Sequence, residues 1–191
     1  MRVWILLSLL LSLPAFAQEQ VCEPFTLDQW EENLEKAEEV IVTPNGETLK
    51  EARYQTDVLF KSARCSDALV PPQILARFAR TKALLAFFDQ DDLEVTRWGQ
   101  LFKATNHDAV SWSDAIGADH PLRLSLAALP ALHYQAASGE GGLAHPKGGG
   151  IFGNGRFMAQ ALLLADTPQL IQVIDKKQAF LQTFWQESAV L

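Results

Sequence analysis

The chain has little positive charge and few residues of the kinds that do chemistry. Its 191 residues carry 16 Lys+Arg against 23 Asp+Glu, a formal net charge of −7. Such an acidic balance argues against nucleic acid or anionic lipid as partners, because their phosphates need a basic face. There are two cysteines and four histidines. The histidines fall at 107, 120, 133 and 145, without the close pairing that brings two rings to one metal ion on consecutive helical turns. His107-Asp108 is the one adjacency with a metal-site flavour, and no matching His/Asp set accompanies it. No G-x-S-x-G elbow is present for a serine nucleophile.

Long apolar runs are also scarce. The longest, Val3 to Leu13, follows a single cation, Arg2, and precedes Pro14 and the triplet Ala15-Phe16-Ala17. A membrane span needs roughly 20 apolar residues. This shorter run with a small-x-small step has the form of a secretory leader cleaved after Ala17, expected over residues 1–17. Glu19-Gln20-Val21 before Cys22 does not suit a lipidation site. The expected product is exported, periplasmic or secreted, with no transmembrane anchor after cleavage. In an oxidising compartment Cys22 and Cys65 are most simply one structural disulfide. It would close a loop of about 44 residues, worth roughly 4 kcal/mol by the chain-entropy argument.

Helical periodicity fills the first half. Thr26-Leu27-Asp28-Gln29 spells a capping box. Leu27, Trp30, Leu34, Ala37 and Ile41 then recur at helical spacing, with glutamates over much of the remainder, a pattern that predicts a solvated acidic face. Thr43-Pro44-Asn45-Gly46 ends that helix. Leu49 to Ala63 marks a second helix, and Pro71-Pro72 opens a markedly apolar third. A fourth follows Asp89-Gln90-Asp91-Asp92, with Leu93, Trp98, Leu101, Phe102 and Ala104 as its expected buried stripe. His120-Pro121-Leu122-Arg123 begins a short fifth helix that must stop at Pro130. Residues 18–137 therefore read as an antiparallel helical domain.

The composition then shifts. Ser138 to Gly155 is glycine-rich, and strand-length apolar pieces follow, including Gln169-Leu170-Ile171-Gln172-Val173 and Phe180-Leu181-Gln182-Thr183-Phe184. Residues 138–191 are expected to form a small antiparallel β-module, with four or five strands over 142–187. The fold class is α+β, with the domain junction near Ser138.

Within the glycine stretch, Gly148 to Gly153 has the spacing G-x-G-x-x-G of a dinucleotide fingerprint. That fingerprint needs a strand entering its first glycine and a helix opening at its last. Pro146 interrupts the approach, and Asn154-Gly155, a strong two-residue hairpin signal, falls where the helix should begin. The glycines read as turn formers, and no cofactor is expected.

The helical stretch from Ala76 to Val110 resembles a degenerate tetratricopeptide-like repeat: an apolar helix, a short acidic turn and an amphipathic partner helix. It lacks that pattern's glycine before the turn and its closing proline. The tail from Leu143 to Trp185, with its Asn154-Gly155 hairpin and Thr167-Pro168 step, resembles the small β-modules called PEGA domains. Together the two parts are similar to exported bacterial envelope proteins, and the resemblance implies a non-catalytic adaptor. Its partner would be an envelope protein or peptide, reached through a concave helical face or through edge strands. Aromatic candidates for that contact are Trp112, in a polar connector, and Trp98 and Phe102, for which core filling is the competing role. No catalytic or metal-binding residue is expected. The alternative is a peptidoglycan-acting hydrolase, in which two of the 23 acidic residues would flank a sugar cleft.

Overall fold

In a computed structural model the described residues are 22–105, 116–136, 146–159, 162–177 and 179–186. Four long helices come first: α1 (Leu27–Val42), α2 (Gly46–Ser62), α3 (Pro72–Phe88) and α4 (Asp92–Ala104). They form two successive hairpins, α1 with α2 and α3 with α4, and α3 also packs on both helices of the first hairpin. A short helix α5 (Pro121–Ala127) rests on α4. The strands β1 (Tyr134–Ala136), β2 (Gly150–Gly153), β3 (Arg156–Phe157), β4 (Leu162–Leu164), β5 (Gln169–Ile174) and β6 (Phe180–Gln186) follow. This is the expected α+β order.

Local chemistry accounts for the helix ends. Thr26 Oγ1 accepts from the Gln29 N–H while Gln29 Oε1 accepts from the Thr26 N–H, at 3.2 and 2.8 Å, a reciprocal cap that satisfies two otherwise stranded donors. Asn45 Oδ1 accepts from the N–H groups of Glu47 and Thr48 at the start of α2. Pro72 is the first residue of α3, where its missing N–H costs nothing. Asp91 caps α4 through the Glu94 N–H. Leu93, expected in the buried stripe of α4, is instead 69% exposed; it is the second residue of the helix, and the buried stripe starts at Val95.

Cys22 and Cys65 are bonded, with Cα atoms 5.3 Å apart. The bridge lies beside a short parallel pairing in which Phe25 donates to the Cys65 carbonyl and accepts from the Asp67 N–H. The glutamate face of α1 is only partly given over to water. Glu31 and Glu38 reach across to α3, where Arg77 binds both at 2.5 and 2.6 Å and Arg80 binds Glu38 at 2.5 Å. These carboxylates raise the Arg77 pKa further above its ordinary value, the Glu38 hydrogen bond contributing most. At Arg80 burial dominates and pushes the pKa down.

Among the described residues six strands make two sheets. The larger is antiparallel with order β3-β2-β5-β6, and β1 pairs with β4 in a separate ribbon. β1 precedes the expected junction near Ser138, which itself lies outside the described residues. β5 is buried along most of its length, and its two faces serve different layers. Leu170 joins the helical core, while Ile171 and Val173 pack with Ile151 and with Leu163 of the ribbon. Helices, main sheet and ribbon thus stack as successive layers, with the period-2 alternation of β5 feeding both contacts.

The β-module is fastened to the helices, not tethered beside them. Trp185 of β6 stacks on Phe60 of α2 at 5.0 Å between ring centroids and 13° between planes, and its Nε1–H donates to the Phe60 carbonyl at 2.9 Å. The same indole meets Phe78 of α3 and Trp98 of α4. Gln172, fully buried, accepts from the Val70 N–H at 2.9 Å and donates to the Ala68 carbonyl at 3.0 Å. Thr167 Oγ1 donates to Gln100 Oε1 of α4 at 2.6 Å.

Candidate functional site

The glycine-rich stretch becomes a strand and a hairpin. Gly150 and Gly153 lie within β2, and the chain returns as β3 with Phe152 opposite Phe157. Asn154 and Gly155 both have positive φ, 53° and 76°, as a type I′ turn requires. No helix opens there to receive a pyrophosphate. The turn is also an assembly point. Asn154 exchanges two hydrogen bonds with the Leu170 backbone, its N–H donating at 2.8 Å and its Oδ1 accepting at 2.9 Å. A Cβ on Gly155 would sit 2.4 Å from the Val70 carbonyl and 2.8 Å from Pro72 Cδ. Only glycine admits this approach to the start of α3.

The hairpin carries one wall of a cavity of about 400 Å³, completed by Ala104 at the end of α4, Tyr134 of β1 and Leu164 of β4. Phe157, Met158 and Leu164 give it an apolar lining, and Arg156 is the one charged residue among the described lining residues. Met158 lies across Gly153, its sulfur 2.2 Å from where a Cβ would be. Tyr134 and Phe157 stand 53% and 61% exposed at the cavity. Arg156 is exposed, and its guanidinium has neither ion pair nor hydrogen bond with any described residue. Asn154 and Gln169 add polar groups to the lining, and the volume lies in the range of small-ligand pockets.

A second cavity, about 200 Å³, lies over α3 between α2 and α4. At its edge Lys82 Nζ sits 5.3 Å from the centre of the Trp98 ring and 3.9 Å from Asp57 Oδ1. Burial lowers the Lys82 pKa, with Asp57, Glu94 and Asp89 opposing. Asp57, Asp89, Asp91 and Glu94 all line this cavity. Three are committed elsewhere: Asp89 to Arg53 at 2.5 Å, Asp91 to its capping bond, and Glu94 to Arg97 and the Trp98 N–H. Among the described residues no group of three or more His, Cys, Asp or Glu side chains is placed to hold a metal ion.

No protein-family model, curated protein or solved structure matches the chain.

Of the aromatic candidates named from sequence, Trp98 and Phe102 are 5% and 4% exposed and belong to the helical core. Their one-turn spacing on an amphipathic helix is the signature of a buried stripe. Trp112 lies outside the described residues, as do His107 and His145. His120 caps α5, its Nδ1 accepting from the Leu122 N–H at 3.2 Å. The residues that gather at the larger cavity, Tyr134, Arg156 and Phe157, were not singled out from sequence. The only local signal for them was the hairpin itself, since an Arg-Phe pair just after Asn-Gly must sit on the returning strand.

Proposed function

We propose that this is an exported, non-catalytic binding protein of the cell envelope, and that its contact surface is the Arg156 cavity at the end of the β2–β3 hairpin. The observation that carries the reading is the pairing of exposed Phe157 and Tyr134 with an apolar cavity whose walls are held by strand pairing and by the Asn154–Leu170 bonds. A surface fixed in this way binds without paying to order itself. Export is supported by the leader-like N-terminus and by the Cys22–Cys65 bridge. The adaptor role is further supported by the order of two helical hairpins followed by an antiparallel sheet, the arrangement implied by the tetratricopeptide-like and PEGA-like resemblance.

The rival, a peptidoglycan hydrolase, would have its carboxylates in the Lys82 cavity, where most are already engaged. Two incubations separate the readings, both with oxidised mature protein. Envelope extract is passed over wild type and over Phe157→Ala, and purified peptidoglycan is assayed for soluble fragments. The proposal expects a captured protein that the substitution weakens, and no fragments. Release of fragments that requires Asp57 or Glu94 would replace it with the hydrolase.

A further inference from the structure

We propose that Lys82 is the amine of a covalent capture site, which takes small neutral aldehydes as iminium adducts. The Lys82 cavity shares no lining residue with the Arg156 cavity, so this inference goes beyond the binding reading and rests on different observations. Every residue that lines it belongs to α2, α3, α4 or the turn between the last two, a stretch of chain described without a break from Pro72 to Ala104 and along the whole of α2.

Sorting the polar groups of this cavity by their partners isolates one pair. Arg53 and Asp89 hold each other, Asp91 caps α4, and Glu94 takes Arg97 and the Trp98 N–H. Lys82 and Asp57 are left. Among the described residues the Lys82 ammonium donates no hydrogen bond; it has the Trp98 ring at 5.3 Å and Asp57 Oδ1 at 3.9 Å. Asp57 has no other partner among them. At this distance the two do not hydrogen-bond directly, which leaves room for one hydroxyl between them. The lysine side chain is 23% exposed and lines the cavity, so it is reachable yet poorly hydrated. Burial pushes its pKa down, which raises the share of neutral, nucleophilic amine.

The ammonium passes one proton to Asp57, and the freed lone pair attacks the aldehyde carbon. A C–N bond forms as the carbonyl π pair moves to oxygen. A second proton shifts from nitrogen to that oxygen, giving the carbinolamine. Asp57 returns its proton to the hydroxyl, the C–O bond breaks, and water leaves as the nitrogen lone pair closes the C=N bond. Ammonium and aldehyde have become iminium and water, with the charge unchanged and no oxidant or reductant consumed. The iminium inherits the Trp98 face and the surrounding carboxylates, which stabilise a cation there.

The cavity also selects its ligand. About 200 Å³ with Leu85, Ala86 and Trp98 among its walls suits an aldehyde with a small apolar body. Asp57, Asp89, Asp91 and Glu94 outnumber Arg53 and Lys82 in the lining, so an aldehyde carrying its own carboxylate is repelled.

The test is reductive trapping on the oxidised mature protein at neutral pH. Limiting benzaldehyde or para-carboxybenzaldehyde is added with sodium cyanoborohydride, and labelled lysines are mapped by mass spectrometry. Exposed Lys50 of α2 is the internal standard. The proposal expects benzaldehyde to label Lys82 about tenfold faster than Lys50, a modest share of what positioned proton transfer supplies. The carboxylated aldehyde should label Lys82 no faster than Lys50. Asp57→Asn gives a second readout. It removes a charge that favours the ammonium, so a purely electrostatic role would speed labelling, whereas loss of the proton carrier slows it about tenfold.

Benzaldehyde labelling of Lys82 no faster than of Lys50 would overturn the site. Equal preference for Lys82 with both aldehydes would overturn the selection of neutral ligands. Unchanged or faster labelling in Asp57→Asn would overturn Asp57 as the proton carrier. None of these results bears on envelope capture through Phe157, which is read in a separate assay.

Discussion

Gln172→Met is the sharpest probe of how the sheet is joined to the helices. The glutamine is fully buried, and its two bonds reach the Ala68–Val70 segment more than a hundred residues away in sequence. Methionine is close in length and volume and flexible enough to fill the space, so little cavity term enters. What is lost is polar pairing. The Val70 N–H is left buried without an acceptor, at about 1–3 kcal/mol, and the bond to Ala68 adds about 1 kcal/mol. The expected loss is therefore about 2–4 kcal/mol. For a chain of this size that corresponds to a fall in Tm of about 5–15 °C.

The assay is urea unfolding followed by tryptophan fluorescence, with thermal unfolding alongside. Gln182→Met, an exposed change on neighbouring β6, serves as control and should move stability by less than about 0.5 kcal/mol. An unchanged m with a lowered midpoint would place the loss in the native state. If Gln172→Met costs no more than its control, the amide does not hold the sheet to the helices, and the reasoning fails.

Further outcomes follow from the same structure. Gly155→Ala must place a Cβ at positive φ and against the Val70 carbonyl, so denaturant titration should show a loss of at least about 2 kcal/mol. Replacing Cys22 and Cys65 together by serine opens a crosslink between residues 43 apart, and the urea midpoint should fall by the equivalent of about 4 kcal/mol. Lys82→Met removes a cation that burial disfavours, and should raise Tm at neutral pH. Because the folded lysine has the lower pKa, the unfolded chain binds the extra proton between that value and about 10.4, so the wild type gains stability as pH rises through this window. The advantage of Lys82→Met should shrink accordingly, and a gap that widens with pH would contradict the burial argument.

Much of the helical half was legible because its signals are local. The Thr26–Gln29 cap, Pro72 at a helix start and the Asp91 cap each act within one turn, and a buried stripe shows in its spacing. Asn154-Gly155 announced its hairpin for the same reason. Less legible were features whose partners lie far along the chain. Gln172 reads as an ordinary strand residue until Val70 is seen against it, and Glu38 reads as part of a solvated stripe until Arg77 and Arg80 face it. Leu93 has the right period but the wrong position, one residue into α4. The Arg156 cavity draws walls from α4, β1, β3 and β4, and no spacing rule brings Ala104, Tyr134 and Arg156 together.

The central claim is that partners meet this protein on the β2–β3 hairpin beside Tyr134. Amide hydrogen exchange on the oxidised mature protein, alone and loaded with captured envelope material, tests it most directly. The account predicts new protection at Gly150–Phe157 and around Tyr134, with the helices α1 and α2 unchanged. Protection centred on the α1 surface or the Lys82 cavity, with the hairpin exchanging as before, would contradict it.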